Sequence, residues 1–547
     1  MRKDILILLF FNSIYSICFA QAPNWLWAKS SNNTGFVRAF SVAVDVSGNS
    51  YVTGYFESSI VNFGPFSLSN AGYVDLFLVK YDVAGNVLWA KSAGGTNLDD
   101  AYSVVVDVSG NSYVTGRSYS LTMRFDTITL TTTDANPVYL FLAKYDASGN
   151  ALWAKKIGGE DDDAPPSVAT DFFGNAYMTG GFVSDTLIVD QDTLINNGYE
   201  NIFIVKYNAS GNVVWARSAG GTGVEKANSI AVDTFGNAYV AGHFLDQNVV
   251  FGSDTLTNWD SSYKLFLAKY DALGNALWAR SAIGALSYGG PSVAVDAVGN
   301  VYVSGSFFEG AMTFDFITIG NYGHDDMFLA KYNAAGYIQW ANSAGGSDYD
   351  RAYSVVVDAS GNSYVTGAYS SDKLIADDDT LANLSAPNSD IFLVKYNELG
   401  NEVWAKCVGG TENDIGYSLA MNASGNLYIA GCYNSPTLAF CYASFLSSAQ
   451  EYEMFLAKLD TSIFSGINEI NDRFFTSLSP NPAINQITLE TDKKATIEIF
   501  NIEGQQIISL IADGIETSID ISDFARGMYF VKVMTGKEFS VRKFVKL

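Results

Sequence analysis

Ten residues, DVSGNSYVTG, occur identically at 45–54 and 107–116, and the near copy DASGNSYVTG fills 358–367. The Gly-Asn pair inside this motif recurs seven times at intervals of 62 to 64 residues, and a tryptophan recurs seven times with the same period. Repetition at such an interval is typical of chains that copy one supersecondary unit, such as solenoids and propellers. The glycines of the pairs are Gly48, Gly110, Gly174, Gly236, Gly299, Gly361 and Gly425, and the tryptophans are Trp27, Trp89, Trp153, Trp215, Trp278, Trp340 and Trp404.

Each repeat predicts four strands, which we call a to d. In the second repeat they cover Ser103–Asp107, Ser112–Gly116, Leu140–Asp146 and Ala151–Lys155, and they are rich in Val, Tyr, Phe, Leu and Trp. Gly-Asn pairs join a to b and c to d, and they favour tight hairpin turns because glycine adopts positive φ at no steric cost. A longer variable segment, the insert, separates b from c, and its motif FDTITL at 125–130 predicts a short additional hairpin.

Strand a is apolar on both of its faces, as Val104, Val105 and Val106 show. A strand of this kind is covered on both faces, which stacked four-stranded blades provide. A d-type strand opens the mature chain at 24–30, whereas the seventh repeat stops after its c strand, so pairing Trp25–Lys29 with Met454–Leu459 would complete the last blade. The sequence therefore predicts an all-β protein. It predicts that residues 21–465 form a seven-bladed β-propeller of four-stranded blades, closed by the N-terminal strand.

The N-terminus has the pattern of a secretory signal peptide over residues 1–20. Arg2 and Lys3 precede the apolar run ILILLFFNSIYSI, and Ala20 is a small residue before the expected cleavage site. The sequence shows no other apolar run long enough to span a membrane. Of the remaining cysteines, Cys432 and Cys441 flank part of one insert, where a disulfide bridge and free thiols are both open interpretations.

After residue 466 the repeat disappears, and alternating apolar segments predict a small β-sandwich over 466–547. The segments SLSPNPAINQITLE at 477–490, IEIFNIEGQQI at 497–507, GMYFVKV at 527–533 and VRKFVKL at 541–547 resemble, in order and spacing, the C-terminal sorting domain of type IX secretion cargo. The resemblance implies recognition by the type IX secretion machinery and a location outside the cell or on the outer-membrane surface of a Gram-negative bacterium. It also implies that the tail is usually removed on export. The matching motif residues are Pro480, Asn481, Pro482, Asn501, Gly504, Gly527 and Tyr529.

The repeats themselves resemble the β-propeller repeats called SBBP, whose pattern is Asp-x-x-Gly-Asn-x-Tyr-Val-x-Gly. The resemblance covers about residues 24–460 and implies a ring of blades without implying a substrate. Features common to the repeats are most simply scaffold. Examples are the lysine of each c strand, such as Lys80, and the aspartate before each Gly-Asn turn, such as Asp107, which we expect to cap that turn.

The net charge of −25 argues against nucleic acid and anionic membranes as partners. Acidic runs are distributed unevenly among the repeats, and Asp162, Asp163 and Asp378 are candidate ligands for Ca²⁺, which prefers oxygen donors. The same residues also fit a solvated acidic face. We expect ligand binding on the side of the ring that carries the inserts, because these loops vary whereas the Gly-Asn turns are nearly identical. Tyr119 and Trp259 are candidate binding residues there.

The sequence leaves three classes of function open. The first is a secreted or surface-attached binding protein for a polysaccharide or a protein partner. The second is an extracellular carbohydrate hydrolase or lyase with acidic residues on the loop face. The third is a structural component of a surface layer. Only two histidines occur, His243 and His324, and no spacing of chemically active residues identifies a catalytic group.

Overall fold

The computed structural model gives a chain that divides into two compact units, Met1–Ser462 and Ile463–Leu547. Among the described residues no segment is helical, and so none is a helix long and apolar enough to cross a membrane. The predicted signal peptide at 1–20 lies outside the described residues. The structure describes residues 23–31, 35–133, 138–158, 165–287, 289–440, 443–446, 451–461, 475–479, 483–491, 494–501, 506–512, 516–535 and 538–546.

Within the described residues of the first unit, seven antiparallel sheets of four or more strands carry the repeat, and we call them sheets 1 to 7 in chain order; most of the insert hairpins form further two-stranded sheets. Each contains four principal strands in the order a-b-c-d, and strand a contacts the a strands of the two neighbouring sheets. The a strands are Val37–Val44, Asp99–Val106, Ser167–Thr170, Glu225–Val232, Ser292–Val295, Asp350–Val357 and Asp414–Met421. The b strands are Ser50–Phe56, Ser112–Ser118, Ala176–Phe182, Ala238–Phe244, Val301–Phe314, Ser363–Tyr369 and Leu427–Tyr433. The c strands are Asp75–Tyr81, Tyr139–Tyr145, Asn201–Tyr207, Lys264–Tyr270, Asp325–Tyr332, Asp390–Tyr396 and Glu453–Leu459. The d strands are Val87–Ala93, Ala151–Ile157, Val213–Ala219, Ala276–Ser281, Ile338–Ala344, Glu402–Val408 and, for sheet 7, Trp25–Ser30.

The N-terminal strand completes sheet 7, as the sequence predicts. Trp25 pairs with Leu459 and Ser30 with Phe455, so Trp25–Ser30 is the outermost strand beside Glu453–Leu459. One buried apolar cluster also joins residues of sheet 7 to residues of sheet 1. The first unit is therefore an all-β propeller, in which the two ends of the repeat array meet in one sheet.

The inserts form the additional hairpins that the FDTITL motif predicts. In sheets 2, 3, 5 and 6 the first turn residue of the hairpin is an aspartate with positive φ, for example Asp126 at 51°. Asp and Asn tolerate this region better than other non-glycine residues. The hairpin strands are Ile60–Phe63 with Phe66–Ser69, Thr122–Phe125 with Ile128–Thr131, Thr186–Val189 with Asp192–Ile195, Asn248–Phe251 with Asp254–Thr257, the end of Val301–Phe314 with Ile317–Gly320, Lys373–Ala376 with Asp379–Ala382, and Thr437–Phe440 with Ala443–Leu446. In sheet 5 a further strand, Ile283–Leu286, pairs with Val301–Phe314.

The aspartate before the a–b turn caps that turn in sheets 1 to 6, and Asn422 caps it in sheet 7. Asp107 Oδ1 accepts the N–H groups of Ser109 and Asn111, both at 2.9 Å. The Tyr113 hydroxyl then donates to the Gly174 carbonyl of the next sheet at 2.6 Å. The repeated aspartate is thus structural, and it orders the turn that the preceding sheet contacts.

At six of the seven interfaces a lysine and a tryptophan bind one sheet to the c–d turn of the next. Lys80 Nζ and Trp89 Nε1 both donate to the Ala147 carbonyl, each at 3.2 Å. The Trp89 ring lies against Gly149, where an added Cβ would come within 2.8 Å of it, and Gly149 has a φ of +83°. Only glycine meets both conditions without strain. We call this arrangement the clasp. Its other copies join Lys144 and Trp153 to Ala209, Lys206 and Trp215 to Ala272, Lys269 and Trp278 to Ala334, Lys331 and Trp340 to Glu398, and Lys458 and Trp27 to Val83.

The interface between sheets 6 and 7 differs from the others. Since the d strand of sheet 7 comes from the N-terminal segment, sheet 7 has no c–d turn to receive a clasp. The Thr461 hydroxyl donates instead to the Gly425 carbonyl, the position that a tyrosine hydroxyl reaches at other interfaces. The chain thus closes its ring with backbone pairing in sheet 7 and with the clasp from Trp27.

The second unit is a β-sandwich with one apolar core, as predicted. Ile487, Ile497, Val531 and Phe544, from both of its sheets, are fully buried together. Its three-stranded sheet has the order Phe475–Ser479, Gln486–Thr491, Glu516–Asp520, and its four-stranded sheet has the order Gln506–Ala512, Ala495–Asn501, Gly527–Thr535, Glu538–Lys546.

Candidate functional site: the insert face

The antiparallel strand order gives the propeller two chemically different faces. The a–b and c–d turns lie at one end of the sheets, which we call the turn face. The inserts and the d–a connections lie at the other end, which we call the insert face. The residues Val74 and Leu98, one before a c strand and one before the next a strand, form a β-bridge on the insert face. The variable loops are thereby gathered around one mouth of the central tunnel.

A β-bulge in strand a of sheets 1, 2, 4, 6 and 7 places one variable side chain of each of these sheets at this mouth, and in sheets 3 and 5 a proline stands at the equivalent position just before strand a. The pairing register of sheet 2 shifts between Ala101 and Ser103, which leaves Tyr102 as the additional residue. The serine that follows accepts the Val168 N–H of the next sheet at 3.3 Å, so the backbone on both sides of the bulge is fixed. Bulges of this kind re-aim a side chain without disturbing the rest of the ladder. The residues before the repeated serine are Phe40, Tyr102, Pro166, Asn228, Pro291, Tyr353 and Tyr417.

Four of these residues form a continuous set of aromatic rings, which we call the aromatic arc. The Phe40 centroid lies 5.4 Å from that of Tyr102 and 5.2 Å from that of Tyr417, and Tyr417 lies 5.4 Å from Tyr353. All four side chains are partly exposed and line a tunnel cavity of about 430 Å³. The tunnel mouth is therefore aromatic on the side of sheets 6, 7, 1 and 2, and it carries proline and asparagine on the other.

Arginines flank the aromatic arc and are held flat against further rings. The Arg38 guanidinium lies 4.4 Å from the Tyr452 centroid and 4.7 Å from that of Phe36. Arg351 lies 4.8 Å from the Tyr349 centroid. Guanidinium groups in this position supply fixed N–H donors beside apolar ring faces. The combination can hold a ligand that has both apolar faces and hydroxyl or carbonyl groups.

The third flanking arginine, Arg117, forms a small polar network with the arc. Its Nη2 donates to the Tyr102 hydroxyl at 3.2 Å and lies 3.7 Å from Asp100 Oδ2, while the Tyr102 hydroxyl donates to Asp100 at 2.7 Å. Burial raises the pKa of Asp100 to about 6, although Arg117 opposes the shift. The Tyr102 ring is thus fixed by an ionic network rather than by apolar packing alone.

The two predicted binding residues both lie on the insert face. Tyr119 is partly exposed, and its ring centroid lies 5.0 Å from Arg117, beside the aromatic arc. Trp259 is 86% exposed and lies in the insert of sheet 4. The structure therefore brings Tyr119 together with the arc. That either residue binds a ligand remains a prediction.

The candidate Ca²⁺ ligands are not assembled into a site within the described residues. Asp162 and Asp163 lie outside them, and Asp378 is exposed in a hairpin turn where its N–H donates to Glu402 Oε2 at 3.1 Å. In the part of the chain that the structure describes, no group of three or more His, Cys, Asp or Glu side chains is arranged to hold a metal ion. Cys432 is a buried free thiol, and Cys441 lies outside the described residues.

Some of the motif residues of the sorting tail are described. Asn501 ends one strand and pairs with Tyr529 of the strand that begins at Gly527. The buried Tyr529 donates its hydroxyl to the Ala525 carbonyl at 2.9 Å, and its ring stacks on Phe544 at 5.5 Å. The remaining motif residues, Pro480, Asn481, Pro482 and Gly504, lie outside the described residues.

Sequence reasoning missed an asparagine that fixes the insert in sheets 1, 3, 4, 5 and 6. Asn70 Nδ2 donates to the Phe56 carbonyl before the insert and to the Tyr73 carbonyl after it, both at 3.3 Å. Exposed aromatic residues follow several of these asparagines, with exposed fractions from 39% to 86%. The signal was an Asn at nearly constant distance after strand b. The asparagines are Asn70, Asn196, Asn258, Asn321 and Asn383, and the exposed aromatic residues are Tyr73, Tyr199, Trp259, Tyr263 and Tyr322.

Carboxyl groups are buried between sheets at the insert face. Asp75 is the first residue of the c strand of sheet 1 and Asp326 the second of that of sheet 5, and their Oδ1 atoms have no hydrogen-bond partner among the described residues. Burial raises the pKa of both to about 7, although backbone N–H donors oppose the shift. Each Oδ1 lies against a glycine of the d–a loop, and in sheet 3 the amide Asn201 occupies the same position against Gly220. An uncharged isostere of aspartate therefore fits this position.

Replacing Asp326 by asparagine is expected to stabilise the propeller near neutral pH. Since the pKa is raised from its ordinary value of about 3.9 to about 7, the folded state binds the proton more tightly. The stability that this provides is present below about pH 4 and is lost as the pH rises to about 7. We expect Asp326→Asn to gain about 2 kcal/mol at about pH 8 and to flatten the pH profile of melting temperature. The exposed Asp372→Asn serves as the control, and parallel profiles for wild type and Asp326→Asn would contradict the assignment.

Comparisons with known proteins agree with this architecture. Residues 477–547 match the family model of the secretion system C-terminal sorting domain, and residues 214–243 match that of the SBBP beta-propeller repeat. The chain is 23% identical to the uncharacterized WD repeat-containing protein L264 of Acanthamoeba polyphaga mimivirus, over 78% of this chain and 37% of the relative. It is 30% identical to the regulatory protein FlaEY of Caulobacter vibrioides, over 20% of this chain and 12% of the relative. The chain thus spans less than two-fifths of the length of these relatives.

The solved structures that match the chain share little sequence with it. Sqt1 from Chaetomium thermophilum is 9% identical with a TM-score of 0.37, and the alignment covers 75% of this chain and 82% of that one. PorZ of Porphyromonas gingivalis, a surface component of the type IX secretion system, is 12% identical with a TM-score of 0.21, and the alignment covers 93% and 81%.

The repeated sheets and the SBBP match define a β-propeller protein. Its C-terminal sorting domain makes it a cargo of the type IX secretion system. The protein is therefore secreted and associated with the cell surface or outer membrane. Both statements confirm the expectations from sequence.

Proposed function

We propose that this protein is a binding protein whose insert face holds a polysaccharide across the tunnel mouth. The observation that carries the proposal is the aromatic arc, in which Tyr353, Tyr417, Phe40 and Tyr102 are linked by centroid distances of 5.2 to 5.4 Å and remain partly exposed. Pyranose rings have apolar C–H faces that stack on aromatic rings, and their hydroxyl groups require hydrogen-bond partners at the ring edges.

The flanking arginines support a carbohydrate rather than a purely apolar ligand. Arg117 and Arg351 are ion-paired with Asp100 and Asp325, so their charges are largely balanced while N–H donors stay beside the rings. A net charge of −25 disfavours anionic polymers near the ring. The proposed ligand is therefore a neutral polysaccharide. A protein partner would be the alternative outcome of the test below.

Removing two rings of the arc is expected to abolish most of the binding. Because each stacked ring contributes about 1 kcal/mol, Tyr102→Ala combined with Tyr417→Ala should weaken binding at least about tenfold. Binding of the chain to a glycan array, followed by titration with the best neutral polysaccharide, measures the effect. Tyr102→Phe, which keeps the ring and removes the hydroxyl, tests whether any loss comes from stacking or from the Asp100 network.

The turn face provides a matched control. Phe173 and Phe235 are each 77% exposed there, and Phe173→Ser with Phe235→Ser removes two rings of similar size without touching the insert face. We expect this control to bind like wild type. Loss of binding in the control alone, or full binding without the arc, would overturn the proposed site. If the protein binds an outer-membrane protein but no glycan, the proposed ligand is a protein partner and not a polysaccharide.

A further inference from the structure

A second cavity opens beside the tunnel mouth, on the side opposite the aromatic arc. It has a volume of about 350 Å³ and shares Lys226 and Asn228 with the tunnel. Its other polar lining residues are Glu200, His243, Tyr263 and Ser287, which come from three successive sheets and their loops. Side chains of such varied chemistry meet at one point because the inserts and d–a loops of neighbouring sheets converge there.

His243 is held rigidly and uncharged in the wall of this cavity. Its Nδ1 lies 3.1 Å from Asn228 Oδ1, an acceptor, so Nδ1 carries the proton and Nε2 is left as an acceptor. Its ring meets the Tyr263 ring at 4.9 Å and 76°. Burial, and secondarily the nearby Lys226, lowers the pKa of His243 to about 4, which keeps the imidazole neutral at physiological pH.

The polar groups of the cavity include both donors and acceptors at close range. Lys226 carries an ammonium group and Glu200 a carboxylate. The Ser287 hydroxyl donates to Asp325 Oδ2 and can accept, and Asn228, whose Oδ1 faces His243, can donate through Nδ2. Tyr263 is 39% exposed and presents part of its ring to the solvent side. One aromatic face surrounded by mixed donors and acceptors matches a ring that carries several hydroxyl groups, and the volume suits a single ring of that kind.

We propose that this cavity is a monosaccharide subsite, which binds one neutral pyranose unit of the polysaccharide that crosses the aromatic arc. The inference rests on the proposed function and adds the position and the chemical class of one sugar. A neutral sugar is favoured because Lys226, the one cation among the described residues that line the cavity, is accompanied by the carboxylate of Glu200, which would repel an acidic sugar.

The two histidines of the chain allow the subsite to be observed directly. His243 lies in the cavity, whereas His324 is exposed and stacks on Tyr349 at 5.1 Å, beside the flank of the arc. With the imidazole Cε1 labelled, NMR of the full-length protein gives one Cε1 resonance for each histidine. The variant His324→Gln loses one of the two resonances and thereby assigns both. The probes are the methyl glycosides of glucose, galactose, mannose and N-acetylglucosamine, with methyl glucuronide as the acidic comparison.

We expect at least one neutral glycoside to shift the His243 resonance saturably while the His324 resonance stays in place, and Tyr263→Ala to weaken this binding at least about tenfold. Glu200→Gln should weaken binding of the neutral glycoside and strengthen binding of the glucuronide. Absence of any His243 shift, equal shifts of both histidines, or tighter binding of the glucuronide to wild type would overturn the subsite. If polysaccharide binding through the arc persists in that case, the proposed function stands. If no polysaccharide binds but a glycoside shifts His243, the proposed function fails and the cavity alone is a sugar site.

Discussion

Deleting residues 21–30 is expected to lower the free energy of unfolding of the propeller by about 5 kcal/mol or more, and its melting temperature by about 5 °C or more. Trp25 is buried against Phe440 at 4.9 Å, and loss of a buried tryptophan alone costs about 3–5 kcal/mol. The deletion also removes the backbone pairs from Trp25 to Ser30 and exposes Glu453–Leu459 as an unpaired edge, which promotes aggregation. Differential scanning calorimetry and light scattering measure the two effects.

Two controls separate the strand from its clasp. Trp27→Phe keeps an aromatic ring but removes the indole N–H that donates to the Val83 carbonyl at 3.1 Å, together with the five-membered ring that carries it, so we expect a loss of about 1 kcal/mol or slightly more. A synthetic peptide covering residues 21–31 should restore part of the stability when it is added to the deleted protein. Unchanged melting of the deletion variant would show that sheet 7 does not need this strand and would contradict the closure described here.

Removing residues 466–547 is expected to abolish secretion while leaving the propeller folded. The sorting domain matches 477–547, and the apolar core of this unit is formed by its own residues, so the truncation removes no part of the propeller core. Cell fractionation should find the truncated protein in the periplasm, with the melting temperature of the wild-type propeller. Intact mass of the exported wild-type protein should show a chain that ends near residues 460–474.

A matched control keeps the tail and damages its core. Val531→Asp places a charge in the fully buried centre of the sandwich and should block export as the truncation does, because an unpaired buried charge is strongly destabilising. The exposed Ile511→Asp should leave export intact. Secretion of the truncated protein would contradict the sorting role of the tail, and an exported chain that reaches Leu547 would contradict its removal.

Most of the fold could be predicted because it depends on local and repeated chemistry. The four-stranded sheets follow from the Gly-Asn turns and the apolar strands. The pairing of Trp25 with Leu459 follows from the d-type strand at 24–30, which precedes the first complete repeat. Strand ends were less accurate. In sheet 2 the a strand begins at Asp99 rather than Ser103, because its first residues pair with strand b across the bulge, and a bulge breaks the alternation that marks a strand in sequence.

The candidate site was only partly predictable, because it depends on contacts between repeats. The insert face follows from antiparallel order, and Tyr119 does lie near the tunnel mouth, but the aromatic arc was missed. Phe40 and Tyr417 are more than 370 residues apart in sequence and meet only because the ring closes. A usable signal existed nevertheless, since the position before the repeated serine varies from aromatic to proline while its neighbours hardly change.

The clasps have a consequence for the history of the ring. At every interface except that between sheets 6 and 7, a sheet donates to its successor through the same kinds of atoms, as Lys80, Trp89 and Ala147 do between sheets 1 and 2. Repeats that have their own c–d turn can therefore adjoin one another in any order, and duplication or exchange of such repeats by recombination would create no new kind of interface. The bulge residue and the insert take no part in the clasp, so the ligand-facing positions are free to diverge in one repeat at a time while assembly stays the same.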